Sequence, residues 1–107
     1  MNIKTNNNEK CDYALQDLYN VIDPEIGLNI VDLGLLYEMY FDEDAKKLEC
    51  IMTLTTQFCP MGEAITSDTH NSLEQSFPDW DIIINLIFEP AWNMNMISMT
   101  GREYLGQ

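Results

Sequence analysis

The chain has 107 residues, 46% of them apolar, enough for one domain with one core and too few for two. Five Lys and Arg against eighteen Asp and Glu leave a formal charge of −13 at pH 7. That balance argues against a nucleic-acid binder, which needs clustered Lys and Arg for phosphates, and disfavours anionic membranes.

In chain order, residues 1–10 are polar with an Asn run and no period, and read as a disordered tail before a single domain over 11–107. From Asp12, placed to cap it, a helical pattern carries Ala14, Leu18, Val21 and Ile22 on one face until Asp23-Pro24 stops it. Over 31–41, Val31, Leu33, Leu35, Tyr37, Met39 and Phe41 alternate with their neighbours, which predicts a strand with a bend at Gly34. An acidic turn over 42–46 leads to a second alternating run through Leu48, Cys50, Met52 and Leu54, so an antiparallel hairpin is expected. A helix pattern from about 61 to 76 turns Met61, Ile65 and Leu73 inward and ends at Phe77-Pro78. Residues 80–89 predict a third strand, apolar on both faces and therefore central or covered on both sides. Residues 98–105 suit a short last helix. The α-β-β-α-β order predicts an α+β, two-layer domain with helices on one face of a small, mainly antiparallel sheet.

Cysteine usage bounds the chemistry. Cys11, Cys50 and Cys59 are odd in number and irregularly spaced, no apolar leader begins the chain, and a reducing cytoplasm is the expected compartment. No C-x-x-C occurs and His70 is the only histidine, so one chain cannot close a structural zinc site. Cys59 precedes Pro60, a residue suited to a first helical position, and so falls near the start of the second helix. There the helix dipole favours a thiolate, while the acidic surroundings oppose it. The plainer reading is a small residue packed under a helix start. Cys50 reads as core, Cys11 as an ordinary exposed thiol and His70 as a surface residue. Asp23 and Glu25 flank Pro24, where they either bind iron or orient a water, or only end the helix and cap a turn. Thr55 and Thr56 suit a simple strand end, and also bring hydroxyls close in sequence to Cys59. Met94, Met96 and Met99 contain soft thioethers for Cu(I), but their segment reads better as one closing over the core.

DPEIGLNIVDLGLLY (23–37), TLTTQFCPM (53–61), Pro90-x-Trp92 and Ser98-x-x-Gly101-Arg102-x-x-Leu105-Gly106 form an ordered set. The set resembles the PaaD-like and SufT-like family of small iron–sulfur cluster assembly proteins, nearest to the stand-alone SufT-like type, from about Cys11 onward. The resemblance implies an α+β fold like the NifU-type assembly domain. It also implies an accessory, non-enzymatic role in cluster assembly or transfer, with the assembly machinery and client apo-proteins as partners. It places the family's functional positions on Asp23, Glu25, Thr55, Thr56 and Cys59, the first four shaping a pocket and Cys59 making a transient cluster contact. Gln57-Phe58 stands where relatives read Pro-Gly, and Asn95-Met96 where relatives carry an acidic–basic pair; with Gln107 as the last residue, the cysteine-bearing extension of true PaaD proteins is not expected. No P-loop marks a fused ATPase.

A cluster usually takes four protein ligands. The chain's cysteines cannot supply them, so no permanent cofactor is expected. Remaining ligands have to come from a partner, a small thiol, carboxylates such as Glu25 or a second copy, for which a homodimer is one arrangement. Two rivals stay open: a small thiol enzyme with Cys59 as nucleophile, lacking an obvious resolving cysteine, and an interaction adaptor in which Cys59 only packs.

Overall fold

The computed structural model describes residues 3–57 and 61–106. In chain order these form β1 (Lys4–Thr5), α1 (Asn8–Leu18), β2 (Ile22–Asp23), β3 (Leu28–Asn29), α2 (Ile30–Leu33), β4 (Leu36–Asp42) and β5 (Lys47–Met52). Then come α3 (Gly62–Ser76), β6 (Asp81–Leu86), a 3-10 turn (Met94–Met96) and α4 (Met99–Tyr104). β1, β4, β5 and β6 make one sheet in that order, and β2 and β3 make a separate antiparallel hairpin. No helix among the described residues is long and apolar enough to cross a membrane.

The core follows from alternation. Met39, Phe41, Leu48, Cys50, Met52 and Ile82 point to one face of the sheet and are buried. Against them pack Cys11, Ala14 and Leu18 of α1 and Ile65 and Leu73 of α3. Ser76 donates from its Oγ to Asp17 Oδ2 at 2.7 Å and ties the two helices together. Phe77 sits edge-on to Tyr13 and Phe41, with centroids 5.6 and 5.5 Å away, and closes one end of the layer. The α+β, two-layer architecture is the one expected.

Four local expectations change. The segment read as a tail pairs β1 in parallel with β4, and α1 starts at Asn8, capped by the Asn7 side chain rather than by Asp12. A short polar segment is ordered because β4 offers it an edge. The strand expected over 31–41 begins only at Leu36, since residues 30–33 coil into α2 between an Asn29 N-cap and Gly34 at φ 80°. The third strand is not central. β6 lies at a sheet edge, and Leu86 and Ile83 on it are 40% and 38% exposed. Finally, the sheet is mixed. The β4–β5 hairpin is antiparallel as expected, but β1–β4 and β5–β6 are parallel, and α3 supplies the crossover that a parallel neighbour requires.

Candidate functional site

Asp23 and Glu25 come together in the β2–β3 turn. Asp23 is 1% exposed, its Oδ1 accepts the Glu25 backbone N–H at 2.9 Å, and its carbonyl accepts from Gly27 N at 2.7 Å. Gly27, at φ 80°, supplies the left-handed residue that lets the chain return. Asp23 is thus an aspartate turn built into a hairpin, with its carboxylate inside and that of the exposed Glu25 outside.

Three backbone hydrogen bonds link this hairpin to the segment ahead of Cys59. Ile30 N donates to Val21 O, Leu35 N to Ile30 O and Thr53 N to Leu35 O, at 2.9, 3.1 and 2.9 Å. Val21 and Thr53 each stand two residues before a candidate site residue, Asp23 and Thr55. Thr53 is fully buried, Thr55 half-buried and Thr56 exposed as the chain leaves β5 toward solvent. Residues 58–60 lie outside the described residues, and with them Cys59. α3 starts at Gly62 with Met61 as N-cap, within a residue of the start at about 61 that the pattern predicts, and among the described residues no side chain caps it. Gly62 packs closely there: a Cβ would lie 2.7 Å from Leu54 Cδ1, so a larger residue would have to displace the end of that leucine side chain.

The other thiols are withdrawn from chemistry. Cys50 is fully buried, as expected for a strand-face residue, and burial pushes its thiol up to about 12. Cys11, expected exposed, is 4% exposed because α1 begins earlier and turns it onto the sheet. Burial raises its pKa, the Asp12 carboxylate adds to that, and a hydrogen bond with Thr5 offsets part of it. His70 is on the α3 surface, 3.3 Å from Glu74.

Sequence reasoning missed the residues that fasten the chain's last segment beneath this region. Asp32 is 8% exposed, and its carboxylate accepts from Asn29 Nδ2 and from Ser98 Oγ, each at 2.7 Å. Ser98 in turn caps α4 by accepting from Gly101 N at 3.0 Å. Gly101 has no room for a side chain, since a Cβ would meet Ile97 and Leu28 at 2.8 and 2.9 Å. Trp92 Nε1 donates to Leu33 O at 2.7 Å, and Tyr37 OH to Pro90 O at 2.8 Å. The motifs at 23–37, 90–92 and 98–106 therefore meet in space. The signal was available: Asn29-x-x-Asp32 and Ser98-x-x-Gly101 both have N-cap spacing. Met94 and Met99 are 51% and 80% exposed, so the closing segment leaves both thioethers largely in solvent.

An α+β domain whose aspartate turn sits in a hairpin tied through Ile30 and Leu35 to Thr53 frames the candidate site, and the comparisons name its class. The family described as iron–sulfur cluster assembly protein matches residues 14–81, and the chain belongs to it. It is 36% identical over 86 residues to the Fe-S protein maturation auxiliary factor SufT of Staphylococcus aureus, covering 80% of this chain and 97% of that one. To the Fe-S protein maturation auxiliary factor YitW of Bacillus subtilis it is 33% identical over 89 residues, covering 83% and 86%. A domain of unknown function from Bacillus anthracis superposes with TM-score 0.84 at 33% identity, covering 92% of each chain. A conserved hypothetical protein from Thermotoga maritima does so with TM-score 0.76 at 34% identity, covering 97% and 98%.

Proposed function

We propose that this chain is a non-enzymatic accessory factor that helps deliver iron–sulfur clusters to client apo-proteins, with Cys59 as the contacting thiol. The observation that carries the reading is the burial of Cys11 and Cys50, which leaves at most one cysteine as a ligand. A cluster usually takes four ligands, so a lone chain is unsuited to store one, and transient hand-over fits the arithmetic. The cluster is cargo in this reading. Glu25 offers an exposed carboxylate beside it, Asp23 holds the hairpin in shape, and Thr55 and Thr56 set the approach to Cys59. Family membership and the names of the two bacterial relatives support the same reading.

The test is anaerobic incubation with ferric iron, sulfide and a small thiol, followed by an apo-ferredoxin. Wild type is expected to raise the rate at which the ferredoxin gains its visible absorbance, Cys59→Ser to lose that gain, and Cys50→Val to keep it. Equal rates with wild type and Cys59→Ser would overturn the role of Cys59. Peroxide turnover lost on that substitution would favour the thiol enzyme instead.

A further inference from the structure

The sheet's two edges are finished differently. At one, β1 is two residues long and includes Lys4. Beyond it the Asn6 side chain closes β4, Nδ2 donating to Phe41 O at 2.9 Å and Oδ1 accepting from Phe41 N at 2.8 Å. A short strand, a lysine and a side-chain plug all blunt an edge against pairing. β6, at the other edge, is six residues long, reads Asp-Ile-Ile-Ile-Asn-Leu, and has no Lys, Pro or bulge.

Its ladder shows which groups are unused. Asp81 N donates to Lys46 O at 2.8 Å and Ile87 N to Met52 O at 2.9 Å. Alternate residues of a parallel strand bond to one neighbour, so Asp81, Ile83, Asn85 and Ile87 turn toward β5. The N–H and C=O groups of Ile82, Ile84 and Leu86 then point away from the sheet, and among the described residues no backbone group beyond β6 takes them. We propose that β6 is a docking edge for an extended segment of a partner protein, apolar at alternate residues and flanked by Lys or Arg.

Charge selects that occupant. Asp79 and Asp81 precede the strand's apolar stretch and Glu89 follows it; Lys46, Lys47 and Lys10, which pairs with Glu43, offset only part of the charge of Asp42, Glu43, Asp44, Asp79 and Asp81 at that end. A second copy fits poorly in the register that pairs the two strands along their full length. Two-fold antiparallel pairing centred on Ile84 would set Asp79 opposite Glu89 of the other copy at both ends, between chains of −13 each. A basic-ended strand meets opposite charge at the same places. The far end of β6 abuts Met52, from which the chain enters Thr53 and the segment ahead of Cys59, so a docked segment runs along the sheet toward the candidate site. The proposal does not depend on Cys59 chemistry.

The probe is a fluorescein-labelled synthetic peptide of alternating Val and Thr with paired Lys at each end, compared with the same peptide ending in Glu. Fluorescence polarisation is expected to favour the Lys peptide by about tenfold or more, roughly 1.4 kcal/mol. In residue-resolved amide exchange, the outward amides of Ile82, Ile84 and Leu86 should gain protection on its addition. Leu86→Pro removes one outward N–H without touching the β5 ladder and should weaken binding. The double variant Asp79→Lys, Asp81→Lys should move preference toward the Glu peptide while leaving the circular dichroism unchanged. Equal affinity for both peptides, binding without protection of those amides, or protection already present in a self-associated protein would each overturn the proposal.

Discussion

Asp32 accepts hydrogen bonds from Asn29, three residues away, and from Ser98, 66 residues away, and so couples a local cap to a distant segment. Asp32→Ala leaves both donors without that acceptor in a largely buried place. Such losses cost about 1–3 kcal/mol each when the donor stays buried. We expect urea unfolding to show a loss of about 2–4 kcal/mol, with proteolysis of the folded protein beginning between residues 93 and 98. An unchanged midpoint would mean that water replaces the carboxylate. The thiols make a second prediction at this scale. Near neutral pH an alkylating reagent should label Cys59 in the folded protein, and reach Cys11 and Cys50 only on unfolding, as peptide mass spectrometry reads directly. Cys11 labelling ahead of Cys59 would remove the basis for chemistry at Cys59. Cys50 also has a sign that can be tested. Its thiol is pushed up from 9.0 to about 12 in the fold, so above pH 9 the unfolded chain sheds a proton that the folded one keeps. This contribution to stability is fully present below pH 9 and falls as pH rises toward 12. Cys50→Val should flatten that alkaline decline in denaturant titrations.

At the scale of elements, α2 is where local pattern and tertiary structure disagree. The alternation of Val31, Leu33 and Leu35 is real, yet Ile30, Val31 and Leu33 are all buried, so the period reflects immersion on every side rather than a strand face. The Asn29 cap and the left-handed Gly34 decide for one helical turn. Gly34 also touches the closing segment: a Cβ there would lie 2.3 Å from Met96 O. Gly34→Ala therefore meets both a disfavoured φ and a backbone clash, and is expected to cost about 2 kcal/mol or more in thermal or urea unfolding. Gly27→Ala has the same φ but nothing within 4 Å, and should cost less than Gly34→Ala. Comparable losses at the two sites would show that strain rather than contact with Met96 dominates. His70 and Glu74, one turn apart on the α3 surface, contribute little by comparison.

For the whole molecule, the charge of −13 acts on encounter rather than on fold. Association with a basic partner surface should be faster at low ionic strength, and stopped-flow rates between about 20 and about 500 mM salt should fall steadily as the screening length shrinks. Rates indifferent to salt would mean that the acidic residues serve solubility alone.

The hairpin over 36–52, the positions of Ile65 and Leu73 in the α3 core stripe, and the core position of Cys50 were legible in the sequence, because period and burial report the same thing in an amphipathic element; Met61, expected in that stripe, precedes the helix as its N-cap and is 37% exposed. The candidate residues Asp23, Glu25, Thr55, Thr56 and Cys59 were legible only as a set, through family resemblance. Tertiary structure alone decided three things. It ordered Lys4 and Thr5, whose polarity says nothing of the β4 edge that receives them. It placed β6 at an edge, since apolar residues on both faces do not reveal which neighbour is missing. It joined Asn29 and Asp32 to Ser98, because a hydrogen bond across 66 residues leaves no periodic trace in the chain that makes it.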